Sequence, residues 1–187
     1  MNTLKVFENI PWNRFSHAYG IAHDIKKEFK KILDRDPDLS SYKFIIDRVE
    51  HQDTLWRVTP WALKMYIALL DEEYTDKEEL LKSIKIIFEA ANFSNYSLTC
   101  LEPIFKPTKK MLEKYAIIKD GLFDDEIDAE YWKIYKSLPY YYIYKTTLDY
   151  IDLSIPLFKR FTKSENPDVA IKAKELVLSI ENPKQYG

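Results

Sequence analysis

Glycine is scarce in this chain. It holds 3 glycines in 187 residues, where an average usage of about 7% would give roughly a dozen. The shortage counts against tight β-hairpins and against the glycine loops that cradle dinucleotides. It favours helices joined by short polar turns. Cysteine is rarer still: Cys100 stands alone, which excludes an internal disulfide and any cysteine-cluster zinc site. A cytoplasmic setting is the expected one. No apolar stretch approaches the roughly 20 residues needed to cross a bilayer. The first ten residues, Met1 to Ile10, lack the apolar run of a signal peptide, so neither a leader nor a membrane anchor is expected. An excess of positive charge is also missing. Net charge is −2 and the pI is near 6.0, so broad attraction to nucleic acid or anionic lipid is not expected.

What the chain does hold is apolar and aromatic. Hydrophobic residues make up 46% and aromatics 15%, including 14 tyrosines, enough to fill a sizeable core within one domain spanning 1–187. The stretch Thr59-Pro60-Trp61-Ala62-Leu63-Lys64-Met65-Tyr66-Ile67-Ala68-Leu69-Leu70 has a single charge, Lys64. Threonine suits a helix N-cap and proline the first turn. A helix apolar nearly all round must be wrapped by other elements.

Around it the spacing predicts further helices. Ile25, Phe29, Ile32 and Leu33 share a face over about 21–34, and Leu39, Tyr42, Ile46 and Val49 over about 39–51. Thr75 with Glu78 forms the pattern of a capping box for a helix over about 76–91. Residues 92–106 read as a long connection and a seam. Helices follow at about 108–119 and 125–138, with Pro139 as a kink or break, then at about 140–151. A short one follows Pro156, and Asn166-Pro167 opens the last, to Ile180. Residues 13–20 suit one helical turn closed by Gly20. No segment alternates with period two. The expected class is all-α: an α-solenoid or an irregular bundle of antiparallel helix pairs.

Two stretches carry a resemblance. Trp12-Asn13-Arg14-Phe15-Ser16-His17-Ala18-Tyr19-Gly20, with Ala22 and Asp24, resembles the W-x-x-L-S-H-A-Y-G-x-A-x-D opening of a bacterial family of small HEAT-like helical repeat proteins. His51-Gln52-Asp53-Thr54-Leu55-Trp56, then Thr59-Pro60-Trp61-Ala62, is similar to that family's H-Q-G-T-x-Y-x-x-T-A-P-A segment. Asp53 stands where the family has glycine, and the proline comes one place earlier, departures that bear on turn geometry. The resemblance covers roughly 12–70. It implies a HEAT-like fold used as a protein-binding surface, with some relatives resembling immunity proteins encoded beside secreted toxins and a smaller group being helical-repeat DNA glycosylases.

Reactive chemistry finds little support. His17, His23 and His51 contain no His-x-x-x-His pair, and no metal site is expected. Ser16-His17 and Asp24 suggest a triad, but no Gly-x-Ser-x-Gly elbow accompanies them. His17 and His51 suit structural bonds at helix junctions, and His23 a surface position. No catalytic residue and no cofactor are expected.

Charge patterning says more. Asp120, Asp124, Asp125, Glu126, Asp128 and Glu130 place six acids in eleven residues without one lysine or arginine. Helix capping uses one or two acids, and the surplus repels itself. Asp71, Glu72, Glu73, Asp76, Glu78 and Glu79 form a second acidic group offset by Lys77. Tyr131, Trp132 and Tyr135, then Tyr140, Tyr141, Tyr142 and Tyr144, follow the first run. Tyr140 to Tyr142 point in three directions on a helix, so some reach the surface, a good composition for a contact hot spot.

The expectation is a non-enzymatic protein-binding protein. In its sharpest form it is an immunity protein whose acids and tyrosines (Asp120, Asp124, Asp125, Glu126, Asp128, Glu130, Tyr131, Tyr141, Glu72 and Glu73) dock a toxin domain with a basic, nucleic-acid-cleaving surface. No membrane contact is expected. The alternatives are a helical-repeat nucleic-acid enzyme of the glycosylase type, using lysines such as Lys26, Lys27, Lys30 and Lys31, and a general helical scaffold.

Overall fold

A computed structural model describes residues 3–35, 39–99 and 138–183. Among them the chain is mostly helical. In order come α1 (Thr3–Glu8), a 3-10 turn (Trp12–Arg14), a hairpin of β1 (Ser16–His17) and β2 (Gly20–Ile21), α2 (His23–Leu33) and α3 (Leu39–Val49). A second hairpin, β3 (Glu50–His51) and β4 (Thr54–Leu55), leads to α4 (Thr59–Leu69), α5 (Lys77–Thr99), α6 (Leu138–Phe161) and α7 (Pro167–Glu181).

The apolar helix is α4, and it is wrapped as its composition requires. Thr59, Pro60, Ala62, Leu63, Met65, Tyr66, Ala68 and Leu69 are all buried. Helices α1, α5 and α6 pack against it. The Tyr66 hydroxyl donates to the Tyr42 carbonyl of α3 at 3.3 Å, and its ring meets Phe29 of α2 edge-on at 5.4 Å. Burial pushes the Tyr66 hydroxyl far above the usual phenol range, with Ser83 as a hydrogen-bond partner that opposes the shift. The Thr3 hydroxyl of α1 donates to the Ala68 carbonyl at 3.2 Å. Helix α5 in turn packs against both α6 and α7, whose Phe158, Ala173 and Leu176 complete one core with Phe15, Ile25 and Tyr42.

Local details depart from the sequence expectation in instructive ways. Thr59 is not the cap of α4: the helix begins at Thr59, after Val58, which makes no side-chain cap bond. The Thr59 hydroxyl instead accepts from the Trp56 N–H at 2.9 Å and donates to the Val49 carbonyl. It thereby ties the end of α3 to the start of α4. Nor does Thr75 form a capping box. Asp76 takes the capping role, its carboxylate accepting the Glu79 N–H at 3.0 Å, while the Thr75 hydroxyl donates to the carbonyls of Leu69 at 2.8 Å and Glu72 at 3.0 Å. A threonine one position before an aspartate loses the cap because the better acceptor sits at the boundary.

The seam expected at 92–106 is helical as far as the description goes, since α5 continues to Thr99; residues 100–106, the helix expected at 108–119 and all but the last residue of the helix expected at 125–138 lie outside the described residues. Pro156 does not separate two helices but lies inside α6. A proline there removes one backbone bond and costs about 3 kcal/mol. Buried Ile151 and Phe158 on either side of it anchor both halves to the core, and that packing outweighs the loss. Pro139 lies at the start of the described part of α6. At α7 the expectation holds: Asn166 caps, its side chain accepting from Asp168 and Val169.

The expected turn over 13–20 is a 3-10 turn followed by a hairpin, in which Ser16 pairs with Ile21 and His17 with Gly20. In the second hairpin Glu50 pairs with Leu55 and His51 with Thr54. Ladders of two residues leave no period-two signature, so the alternation rule had nothing to detect.

Leu63 is fully buried in α4. Leu63→Ala is expected to lower stability by about 2–5 kcal/mol, because the cavity adds to the lost transfer energy. A urea unfolding series checks this, reading the midpoint at constant slope.

Candidate functional site

The two hairpins lie side by side and build a polar cluster from segments far apart in sequence. The Ala18 N–H donates to the Arg48 carbonyl at 3.2 Å, and the Val58 N–H to the Ser16 carbonyl at 3.3 Å. These bonds join the first hairpin to the chain on both sides of the second. Each turn needs unusual backbone. Gly20 has φ of +149°, a region that side chains disfavour. Gln52 and Asp53 have φ of 53° and 60°, the left-handed pair of a type I′ turn. Asp53, where the resembled family has glycine, therefore still adopts the conformation glycine favours. Its N–H donates to the Glu50 carboxylate at 2.8 Å.

Asp24, in the first turn of α2, is the centre of the cluster. Its Oδ1 accepts from His17 Nε2 at 2.9 Å and from the Ile25 N–H at 2.7 Å, and its Oδ2 accepts from Arg48 Nε at 3.0 Å. His17 is 4% exposed. Its Nδ1 accepts the Tyr19 N–H at 3.0 Å, which leaves the proton on Nε2 to face Asp24. The Arg48 guanidinium lies 3.2 Å from the Phe44 ring centroid and 5.6 Å from that of Tyr19. The Tyr19 hydroxyl sits 3.2 Å from His51 Nδ1, and the two rings meet edge-on at 5.4 Å.

Burial lowers the affinity of His17 for a proton below its ordinary value of 6.5, outweighing the opposing attraction of Asp24. For Asp24, burial acts to raise the carboxyl, but the bonds from Arg48 and His17 prevail and hold it below the usual carboxylate range. Both ring nitrogens of His17 are already engaged, and Asp24 accepts three donors. The cluster thus fixes backbone and rings; it offers no spare lone pair on His17 for a metal or a proton transfer. Among the described residues no group of three His, Cys, Asp or Glu side chains could hold a metal ion, and no helix is long and apolar enough to cross a membrane. His23 is exposed.

The acidic and aromatic residues singled out from sequence are placed unevenly. Asp120, Asp124, Asp125, Glu126, Asp128, Glu130 and Tyr131 lie outside the described residues. Tyr141 falls in the first turn of α6. Glu72 and Glu73 occupy the turn between α4 and α5, Glu72 half-buried and Glu73 exposed. The acids around them are more committed than the sequence suggested. Asp71 pairs with Arg160 of α6, Asp76 caps α5, and Glu79 pairs with Lys82 at 3.1 Å. Burial lowers the Lys77 pKa, opposed by Glu72 and Asp71, and its ammonium donates to the Glu72 carbonyl. Sequence reading named His17, Asp24 and His51 but missed Arg48 and Tyr19. Arg48 is 24 residues from Asp24, a separation at which no periodicity links two positions.

Searches against family models, curated proteins and solved structures return no match.

Two outcomes test the cluster. The unfolded chain binds more protons than the folded one as pH falls below 6.5, since folding lowers the His17 pKa. Stability is therefore complete above that pH and declines on acidification. Asp24, also lowered on folding, adds a further loss below its ordinary 3.8. His17→Gln, which keeps one donor and one acceptor, is expected to flatten the first decline, measured by urea unfolding at a series of pH values. Gly20→Ala is expected to cost about 1–3 kcal/mol through backbone strain, because nothing lies within 4 Å of the added carbon; thermal unfolding of the variant checks it.

Proposed function

We propose that this chain is a non-enzymatic, HEAT-like binding protein that neutralises a cognate toxin domain with a basic, nucleic-acid-cleaving surface, acting in the cytoplasm. The observation that carries the reading is the run from Asp120 to Glu130, six acids in eleven residues without a compensating base. Carboxylates at that density resemble a phosphate backbone in charge, and they steer a basic partner onto the chain faster than neutral surfaces would. Tyr131 and Tyr141 supply amphipathic anchors of the kind that dominate interface energetics. Occlusion of the toxin's own nucleic-acid surface then suffices for protection, with no chemistry required of the inhibitor.

The polar cluster at the hairpins supports the same reading. A histidine and a carboxylate in contact invite a catalytic role, yet both ring nitrogens of His17 and three acceptor positions of Asp24 are taken by structural bonds. The alternative of a nucleic-acid enzyme has less support. Of the lysines on α2, Lys30 pairs with Asp34 and Lys31 with Glu28 at 2.8 Å, which halves the charge that face offers to phosphates. A salt-dependence series with duplex DNA separates the readings, since phosphate contacts give a steep slope.

The test first asks whether the gene upstream of this one encodes a secreted protein with a basic toxin domain, and then measures binding of this chain to that domain. Replacing Asp124, Asp125 and Glu126 together with their amides is expected to slow association about tenfold at low salt, with a smaller effect at high salt. Stopped-flow association rates measure it. An unchanged rate and affinity would refute this face.

A further inference from the structure

The first hairpin is a loop whose two ends are fixed and whose middle stands in water. Phe15 and Ala22, on either side of it, are fully buried. The Ala22 N–H donates to the Phe15 carbonyl at 2.9 Å and closes the loop at its base. Between them Tyr19 is 62% exposed and Ile21 49% exposed, and Gly20 has a backbone conformation that side chains disfavour. With its ends pinned to the core, such a segment can open while the helices beneath it stay packed.

One side chain that holds the loop down can also take up a proton. The buried His17 ring donates from Nε2 to Asp24 and accepts the Tyr19 N–H at Nδ1. The second bond exists only while the ring is neutral, because a protonated imidazole donates at both nitrogens and accepts at neither. A proton on Nδ1 would set one donor against another at 3.0 Å, and an unmade bond is costly where little water reaches. His51 differs. Its Nδ1 accepts from the Tyr19 hydroxyl when neutral and donates to the same oxygen when protonated, so that contact survives either state.

The groups facing His17 set the balance. Burial opposes the proton most strongly; Asp24 of α2 favours it, Arg48 of α3 opposes it, and the backbone of Ile21 within the hairpin favours it. Beyond Tyr19, His51 of β3 has Glu50 beside it. Asp24 does not depend on the loop, since Arg48 and the Ile25 N–H hold it from the helices.

We propose that residues 16–21 are a pH-operated latch: on mild acidification a proton on His17 Nδ1 displaces the Tyr19 N–H, and the loop opens to release Tyr19 and Ile21. The sign follows from linkage. The closed loop binds the His17 proton less readily than an open one whose ring meets water, so acid favours the open form. The latch does not depend on what residues 120–130 bind.

Magnetic resonance of the isotope-labelled full chain between about pH 8 and pH 5 tests the latch. At the upper end a scalar coupling is expected across the hydrogen bond from the Tyr19 amide nitrogen to His17 Nδ1. On acidification the coupling is expected to vanish as the Nδ1 resonance moves to its protonated position. Over the same range the amides of residues 16–21 should lose protection from hydrogen exchange, while Leu63 and Tyr66 of α4 keep theirs. His17→Gln, which retains an acceptor but does not titrate, should hold the loop closed throughout, and His51→Asn should leave the transition in place. A coupling that persists to the lowest pH, core amides that lose protection together with the loop, or a transition that disappears in His51→Asn would each overturn the proposal. The coupling is read on the unaltered chain, so the outcome stands even if a variant fails to fold.

Discussion

Helix α4 has almost no side that can face water, and the arrangement of its neighbours follows from that. Eight of its eleven residues are buried. Six of those, Pro60, Ala62, Leu63, Met65, Ala68 and Leu69, carry no polar side-chain group. Three helices pack on it, and Tyr66 reaches two more. At roughly 1.5–3 kcal/mol for each large aliphatic side chain removed from water, this one helix contributes a large part of the drive to collapse. The hydroxyl of Thr59 adds direction, because it joins the last carbonyl of α3 to the first turn of α4.

A second constraint is electrostatic. Asp24 gathers His17, Arg48 and the Ile25 amide onto one carboxylate. The bonds from Ala18 to Arg48 and from Val58 to Ser16 then lock both hairpins to α2, α3 and the approach to α4. A partly buried carboxylate is stable there because it accepts three hydrogen bonds, one of them from a guanidinium. The consequence is a rigid platform on which Tyr19 and Ile21 stand out into solvent.

How much of this was readable from residues alone varied with the length of the pattern. Helices α2, α3 and α7 announced themselves through four or five apolar positions each, and Asn166-Pro167 marked the start of α7. The caps at Thr59 and Thr75 misled, because a threonine hydroxyl serves equally well as a tertiary bond and neighbouring residues decide which. Pro156 misled because local chemistry forbids what distant packing at Ile151 and Phe158 enforces. The hairpins were invisible, being too short for any period, although Gly20 and the pair Gln52-Asp53 stand at their turns. Of the candidate contact residues, Glu72 and Glu73 proved to sit among acids already paired or capping, which charge counting cannot distinguish from free ones.

The composition and periodicity of the chain were sufficient to determine that it is mostly helical, that α4 lies inside, and that its acids outnumber its bases locally. Those properties depend on near neighbours and on the balance of apolar against polar surface, both of which a sequence displays. Tertiary structure alone decided that His17, Asp24, Arg48, Tyr19 and His51 meet, that Asp24 accepts three donors, and that Tyr19 is pinned yet exposed. Contacts between residues 24 and 32 positions apart depend on how whole helices pack, and no local propensity encodes that.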